Sequence, residues 1–257
     1  MGILNITPDS FYDGGIYKND RDILHKAEKM LSAGATFIDV GGYSSRPKAT
    51  HISEEEELKR ILPVIDLVLK EFPDTLISAD TFRSRVAKQS VEAGASIIND
   101  ISAGKMDQDM LQTAAELKVP YIMMHMKGTP QTMGKQANYK NLLKEVLFYF
   151  SERIAEARRL GIIDLIIDPG FGFSKTVQQN YELLNNLDHF SILDLPILVG
   201  VSRKSMIHKP LSIRADEALN GTTILNTIAL QKGASILRVH DVKEAMECII
   251  LTQQLKS

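Results

Sequence analysis

One device recurs along the chain and limits its fold more than any other feature. A helical pattern closes on a glycine, a β-branched run follows, and a polar residue ends the run. Ala33-Gly-Ala-Thr-Phe-Ile-Asp-Val40 is the first copy and Ala93-Gly-Ala-Ser-Ile-Ile-Asn-Asp100 the second. Leu160-Gly-Ile-Ile-Asp-Leu-Ile-Ile-Asp168 and Lys232-Gly-Ala-Ser-Ile-Leu-Arg-Val-His240 repeat it. Glycine takes the left-handed turn after a helix without a Cβ penalty, and an unbroken apolar run is a strand covered on both faces. Ile3–Asn5, Thr75–Asp80, Tyr121–His125 and Leu195–Val201 read as further strands, making eight. Amphipathic stretches separate them, roughly Asp22–Ala33, Glu54–Glu71, Ser84–Ala93, Gln108–Leu117, Leu142–Leu160, Val177–Leu187, Ala215–Gln231 and Val242–Leu255. Ser53 with Glu56 is a capping-box pattern at the head of the second. Strands alternating with helices make right-handed crossovers and a parallel sheet. Eight such units close as a (β/α)8 TIM barrel, an α/β fold that takes residues 1–257 as a single domain. The alternative is a doubly wound open sheet, but no G-x-G-x-x-G turn follows any strand.

Length supports the barrel, because 257 residues match the usual size of one such unit. A formal net charge of −2 leaves no field that would recruit nucleic acid. The lone Cys248 excludes an internal disulfide and fits a reducing cytoplasm. No signal peptide or bilayer-spanning run is visible, so no membrane partner is expected. With the first strand starting almost at Met1, a few native residues are expected upstream.

In this fold chemistry sits where the strands stop, at the C-terminal face. The stops are Asn5, Asp39, Asp80, Asn99 with Asp100, His125, Asp168, the cluster Ser202-Arg203-Lys204-Ser205, and Arg238 with His240. One polar stop could merely cap a strand; nearly all of them together point to a shared ligand. Asp80, Asn99 and Asp168 are rich in acceptors and match the N–H edge of a 2-amino-4-oxo heterocycle. Lys204 can donate to the ring, Arg238 can stack on it or bind an anion, and Met124 and Phe173 can wall it. Asn5 is a neutral oxygen suited to Mg2+. Arg238, His240 and the N-terminus of the last helix suit a diphosphate. Three long loops, Ile6–Arg21, Gly41–Ser53 and Met126–Asn138, exceed the usual connection length. The first two, with Thr7, Asp9, Ser10, Gly14, Gly15, Ser45 and Arg46, suit a lid over phosphate oxygens. The third has no assigned role.

Seven segments carry a family resemblance: Asn5-Ile-Thr-Pro-Asp-Ser-Phe-Tyr-Asp-Gly14, Asp39-Val-Gly-Gly-Tyr-Ser-Ser-Arg-Pro47, Asp80-Thr-Phe82, Asn99-Asp100, Asp168-Pro-Gly-Phe-Gly-Phe173, Ser202–Ser205 and Arg238-Val-His240. In this order the chain resembles the dihydropteroate synthases of folate biosynthesis, a pterin-binding barrel family. The resemblance implies condensation of 6-hydroxymethyl-7,8-dihydropterin diphosphate with p-aminobenzoate, with Mg2+ as cofactor and diphosphate as leaving group. It implies Asn5 as metal ligand, and Asp80, Asn99, Asp168 and Lys204 as the pterin grip, with Met124 beside them. It implies Arg238 and His240 at the diphosphate, and Ser45 with Arg46 in the second loop near it. Ser205, Arg203, Pro47 and Phe173 would border the aminobenzoate, which sulfonamides mimic. The family also implies a homodimer. Lys48 departs from the glycine the family commonly has after Arg-Pro. Three rival readings remain at this level: a corrinoid-type pterin-binding methyltransferase, a Schiff-base aldolase using Lys204, and a barrel that only scaffolds a partner.

Overall fold

The computed structural model describes residues 1–6, 12–13, 16–17, 20–45 and 50–255. Ten strands are β1 (Gly2–Asn5), β2 (Tyr12–Asp13), β3 (Ile16–Tyr17), β4 (Phe37–Gly41), β5 (Leu76–Asp80), β6 (Ile97–Asp100), β7 (Tyr121–Met124), β8 (Leu165–Asp168), β9 (Leu198–Val199) and β10 (Ile236–Leu237). Nine described helices are α1 (Asp20–Ser32), α2 (Glu54–Glu71), α3 (Ser84–Glu92), α4 (Met110–Leu117), α5 (Leu142–Arg159), α6 (Val177–Asn185), α7 (Ser205–Leu211), α8 (Leu219–Gln231) and α9 (Val242–Gln254). Strands β2 and β3 form a small antiparallel hairpin inside the first long loop. The others are all parallel. β1, β4, β5, β6, β7 and β8 pair in that order. Ile167 bridges to Ile197, β9 pairs with β10, and Val239 bridges back to Gly2, which closes the ring.

The recurrent glycines do what their spacing requires. Gly34, Gly94, Gly161 and Gly233 have φ between +95° and +109°, each turning the chain out of a helix toward the next strand. Ser53 caps α2, its Oγ accepting from the Glu56 amide at 3.1 Å. One helix falls outside the amphipathic stretches read from the sequence. The stretch after Lys204 winds into α7, so the Ser202–Ser205 cluster ends at a helix start rather than running on as coil. No helix among the described residues is long and apolar enough to cross a membrane.

Side chains along a strand alternate faces with a period of two, and that period sorts this barrel. The outward set packs on the helices as the main core, including Ile38, Val40, Ile77, Ile98, Met123, Ile167 and Val199. The inward set fills the lumen. Its lower layer is Met1, Ile97, Ile122, Ile166 and Leu198, with Phe37 and Ile236 against them. Two residues further along these strands come Asp39 after Phe37, Asn99 after Ile97, Met124 after Ile122, Asp168 after Ile166, Gly200 after Leu198 and Arg238 after Ile236. Asp80 on β5 joins this layer through Arg238, and Asn5 ends β1 two residues past Ile3, which pairs with Asp39. The sequence therefore stacks an apolar floor beneath a ring of functional groups.

Candidate active site

The ring is wired together. Arg238 donates from Nε to Asp39 at 2.7 Å and from a terminal nitrogen to Asp80 at 2.7 Å. Asn99 donates its Nδ2 to both Asp39 oxygens, at 3.2 and 3.3 Å. Asp168 accepts the Gly170 amide at 2.8 Å. Lys204 donates to the Phe171 carbonyl and lies 4.8 Å from the centre of the Phe173 ring. These bonds leave Asp80 Oδ1, Asn99 Oδ1 and Asp168 Oδ2 without partners among the described residues, together with one Arg238 nitrogen and two Lys204 protons.

Desolvation dominates the electrostatics. It pushes Asp80 up to about 7, against the pull of Arg238, and raises Asp168 against Lys204. Lys204 falls to about 8 by burial, opposed by Asp168. Arg238 is raised above its ordinary range by its two carboxylates, which outweigh its own burial. His240 shares a hydrogen bond with Ser202 at 3.0 Å, and burial with nearby Arg238 drops it to about 4, so the imidazole is neutral at pH 7. An anion would meet it as a neutral N–H donor, not as a cation.

An apolar shelf roofs one side. Tyr43, Phe82, Ile101, Met124, Met126 and Met133 form a buried cluster, and Phe173 packs on it. Met124 and Phe173 thus belong to one apolar patch. The loop at 126–138 supplies two of these methionines, and its Gln131 donates to the Tyr43 hydroxyl at 2.5 Å. Tyr43 also bonds His51 at 3.2 Å, so this loop braces the second long loop at both ends.

Other expected residues fall elsewhere. Arg203 turns to Asp241 as a two-bond ion pair, at 2.9 and 2.5 Å, rather than joining the acid ring. Ser205 opens α7. Ser45 is half-buried in the second loop, while Arg46, Pro47 and Lys48, with Thr7, Asp9, Ser10, Gly14 and Gly15, lie outside the described residues. Asp100, one step past Asn99, faces outward and accepts from Tyr121, Ser102 and Gly104. His125 likewise lies behind the ring, against Tyr149 and Lys175. Two groups escaped the residue-by-residue reading. Asp39 was visible as a strand end, but its central place needed the period-two step from Phe37. Lys175 carried no signal, since a lysine in a glycine-rich turn reads as solvated.

Beneath the second loop, Glu57 is fully buried and accepts from Thr81 at 2.6 Å and Arg83 at 2.6 Å. Arg83 also donates to the Ile52 carbonyl at 2.6 Å. Removing one partner of a buried ion pair strands the other charge. Arg83→Met is therefore expected to cost about 3 kcal/mol in urea unfolding, and a loss below about 1 kcal/mol would show that Thr81 alone suffices.

Asn5 stands half-buried at the end of β1, and no three His, Cys, Asp or Glu among the described residues cluster to cage a metal. A single neutral oxygen fits Mg2+, which keeps waters and takes phosphate oxygens as its remaining ligands.

Comparison with known proteins agrees with this geometry. Residues 1–240 match the family described as pterin binding enzyme. The dihydropteroate synthase of Escherichia coli is 46% identical over 251 residues, 97% of this chain and 88% of that protein. The Yersinia pestis dihydropteroate synthase, solved with a sulfonamide drug complex, superposes with a TM-score of 0.93 at 41% identity, covering 99% of this chain and 93% of that one. The Xanthomonas albilineans enzyme, solved with 4-aminobenzoic acid, gives 0.92 at 36% identity, covering 100% and 92%. The chain belongs to the pterin-binding enzymes and, within them, to the dihydropteroate synthases, transferases of folate biosynthesis.

Proposed function

We propose that this chain joins 6-hydroxymethyl-7,8-dihydropterin diphosphate to p-aminobenzoate, giving 7,8-dihydropteroate and diphosphate, and that the ring of strand ends holds the pterin. The observation that carries this is the set of unbonded groups in one layer. Three acceptors, on Asp80, Asn99 and Asp168, face a heterocycle edge that offers three N–H donors. Lys204 supplies the donor for the ring carbonyl and ring nitrogen. Met124 and Phe173 flank the ring faces. Arg238 and neutral His240 offer N–H groups to the leaving diphosphate, with Arg46 and Ser45 closing from the second loop. Pro47, Ser205 and Arg203 border the aminobenzoate side, the region a sulfonamide would occupy.

Loss of diphosphate leaves positive charge on the pterin methylene and ring. Carboxylates fixed nearby in a dry site stabilise that charge without reorganising, often the largest catalytic term. Asp80 and Asp168 are so placed, and a cationic ring keeps both ionised despite their raised pKa values. The neutral aryl amine then attacks; it needs no strong base. Mg2+ at Asn5, when bound, would neutralise diphosphate oxygens. On the same reading the enzyme acts in the cytoplasm as a homodimer. Apolar side chains left exposed on neighbouring α8 and α9, Ile224, Ile250, Leu251 and Leu255, support the dimer. The test is diphosphate release that requires both substrates and is abolished by chelation of Mg2+. Release with the pterin alone at an equal rate would overturn the proposal.

A further inference from the structure

The turn that follows β8 lies between two lysines. On its active-site side, Lys204 bonds the Phe171 carbonyl and covers Phe173. On its far side, Lys175 places its ammonium among three acceptors: His125 Nδ1 at 3.0 Å, the Gly170 carbonyl at 3.0 Å and the Phe173 carbonyl at 3.1 Å. Three acceptors match the three protons of an ammonium. Burial draws its pKa down to about 7, opposed by the Asp168 carboxylate. The bonded residues are those that shape the site. Gly170 gives its amide to Asp168, Phe173 is a wall of the pocket, and His125 follows directly on β7. His125 accepts here because burial and the surrounding Lys175, Lys127 and Lys105 hold it neutral.

We propose that Lys175 is a positioning residue for the pterin: its ammonium gathers the 168–175 turn so that Asp168, the Phe171 carbonyl and the Phe173 ring meet the ligand in register with Lys204. The inference rests on the assignment of Asp168 and Lys204 to the pterin. Lys175 itself does not touch substrate. Its loss acts through the turn and so falls mainly on the pterin, because among the described residues no bond of Lys175 reaches the second loop or α7, and the Phe173 carbonyl is its one link to the aminobenzoate border.

The experiment is steady-state kinetics on Lys175→Met, which keeps the apolar stem and removes every donor, and on Lys175→Gln, which keeps two donors. Three orphaned acceptors loosen the turn, so the KM for dihydropterin diphosphate in Lys175→Met should rise about tenfold or more. The KM for p-aminobenzoate should change less, by about threefold at most, since Phe173 alone links that border to Lys175. Lys175→Gln should lie between Lys175→Met and the wild type. A folded Lys175→Met enzyme with a lower melting temperature and an unchanged pterin KM would overturn the proposal, because the lysine would then serve stability alone. If Lys175→Met does not fold, Lys175→Gln decides: a selective rise in pterin KM supports the role, and an unchanged value overturns it. Wild-type diphosphate release is measured beside them. Its absence overturns this inference and the proposed function together, whereas an active wild type with unaffected variants overturns the role of Lys175 alone.

Discussion

Asp80→Ala is expected to lower kcat/KM for the pterin substrate by about 1,000-fold or more, with little change in the fold. Among the described residues the carboxylate is the one partner of Arg238 with an unbonded oxygen, so on the proposed function its loss removes both a ring contact and a fixed negative charge. Arg238 retains Asp39, which is why the barrel should survive. The pH profile offers a second readout. Asp80 is raised to about 7 and ionises above that value, so activity should fall as pH drops through 7. Lys204, lowered to about 8, loses its proton above that value, so activity should fall again on the alkaline side. Lys175, at about 7, loses its proton about one pH unit earlier, so the alkaline decline should begin before Lys204 titrates. The dependence of kcat/KM on pH reports the free enzyme, and the result is a narrow bell. The acid limb should be missing from whatever activity Asp80→Asn retains. A folded Asp80→Ala enzyme within about tenfold of wild type would remove Asp80 from the grip.

Gly170→Ala is expected to be nearly as damaging by another route. Gly170 has φ +73°, and an added Cβ would lie 2.0 Å from the backbone oxygen of His125. That oxygen cannot retreat cheaply, because His125 donates its own amide to the Asp168 carbonyl at 2.9 Å and so belongs to the β7–β8 seam of the rim. A left-handed non-glycine residue costs about 1–3 kcal/mol and backbone overpacking about as much again, so a loss of about 4 kcal/mol is expected in chemical denaturation. The amide that fixes Asp168 would move with it, and pterin binding should vanish before the fold does. A variant with wild-type stability would mean that the turn is softer than its contacts imply.

The fold was legible because its punctuation is local. Four helix-ending glycines and the β-branched runs behind them mark strands whatever the tertiary context, and Ser53 with Glu56 marks a helix start by chemistry alone. The site was legible to the extent that strand ends were: Asp80, Asn99, Asp168, Lys204 and Arg238 do meet in one layer. What stayed hidden depends on direction. Asn99 and Asp100 are equally polar neighbours, yet the pleat sends one inward and the other out to Tyr121. Arg203 and Lys204 are adjacent cations, yet one pairs with Asp241 and the other enters the lumen. Lys175 was invisible because two of its partners are carbonyls of its own turn and the third, His125, reaches it only through the pairing of β7 with β8. The helix α7 was hidden because it carries Pro210 in its last turn; the Met206 carbonyl, which an amide there would bond, accepts from the Tyr181 hydroxyl at 2.8 Å instead.

The short strands β9 and β10 carry a consequence for motion. Each is two residues long; one bridge joins the pair to β8, and three backbone bonds join Leu237 and Val239 to Met1 and Ile3 on the other flank. Lys204, Arg238 and His240 ride on this narrow panel or directly beyond it, while Asp39, Asp80, Asn99 and Asp168 ride on the arc. The guanidinium of Arg238 is thus a latch thrown across the lumen from the panel to its frame. Amide protons along the panel should exchange with deuterium sooner than those of β4 to β7, and a pterin touching both parts should slow that exchange by fastening the panel shut.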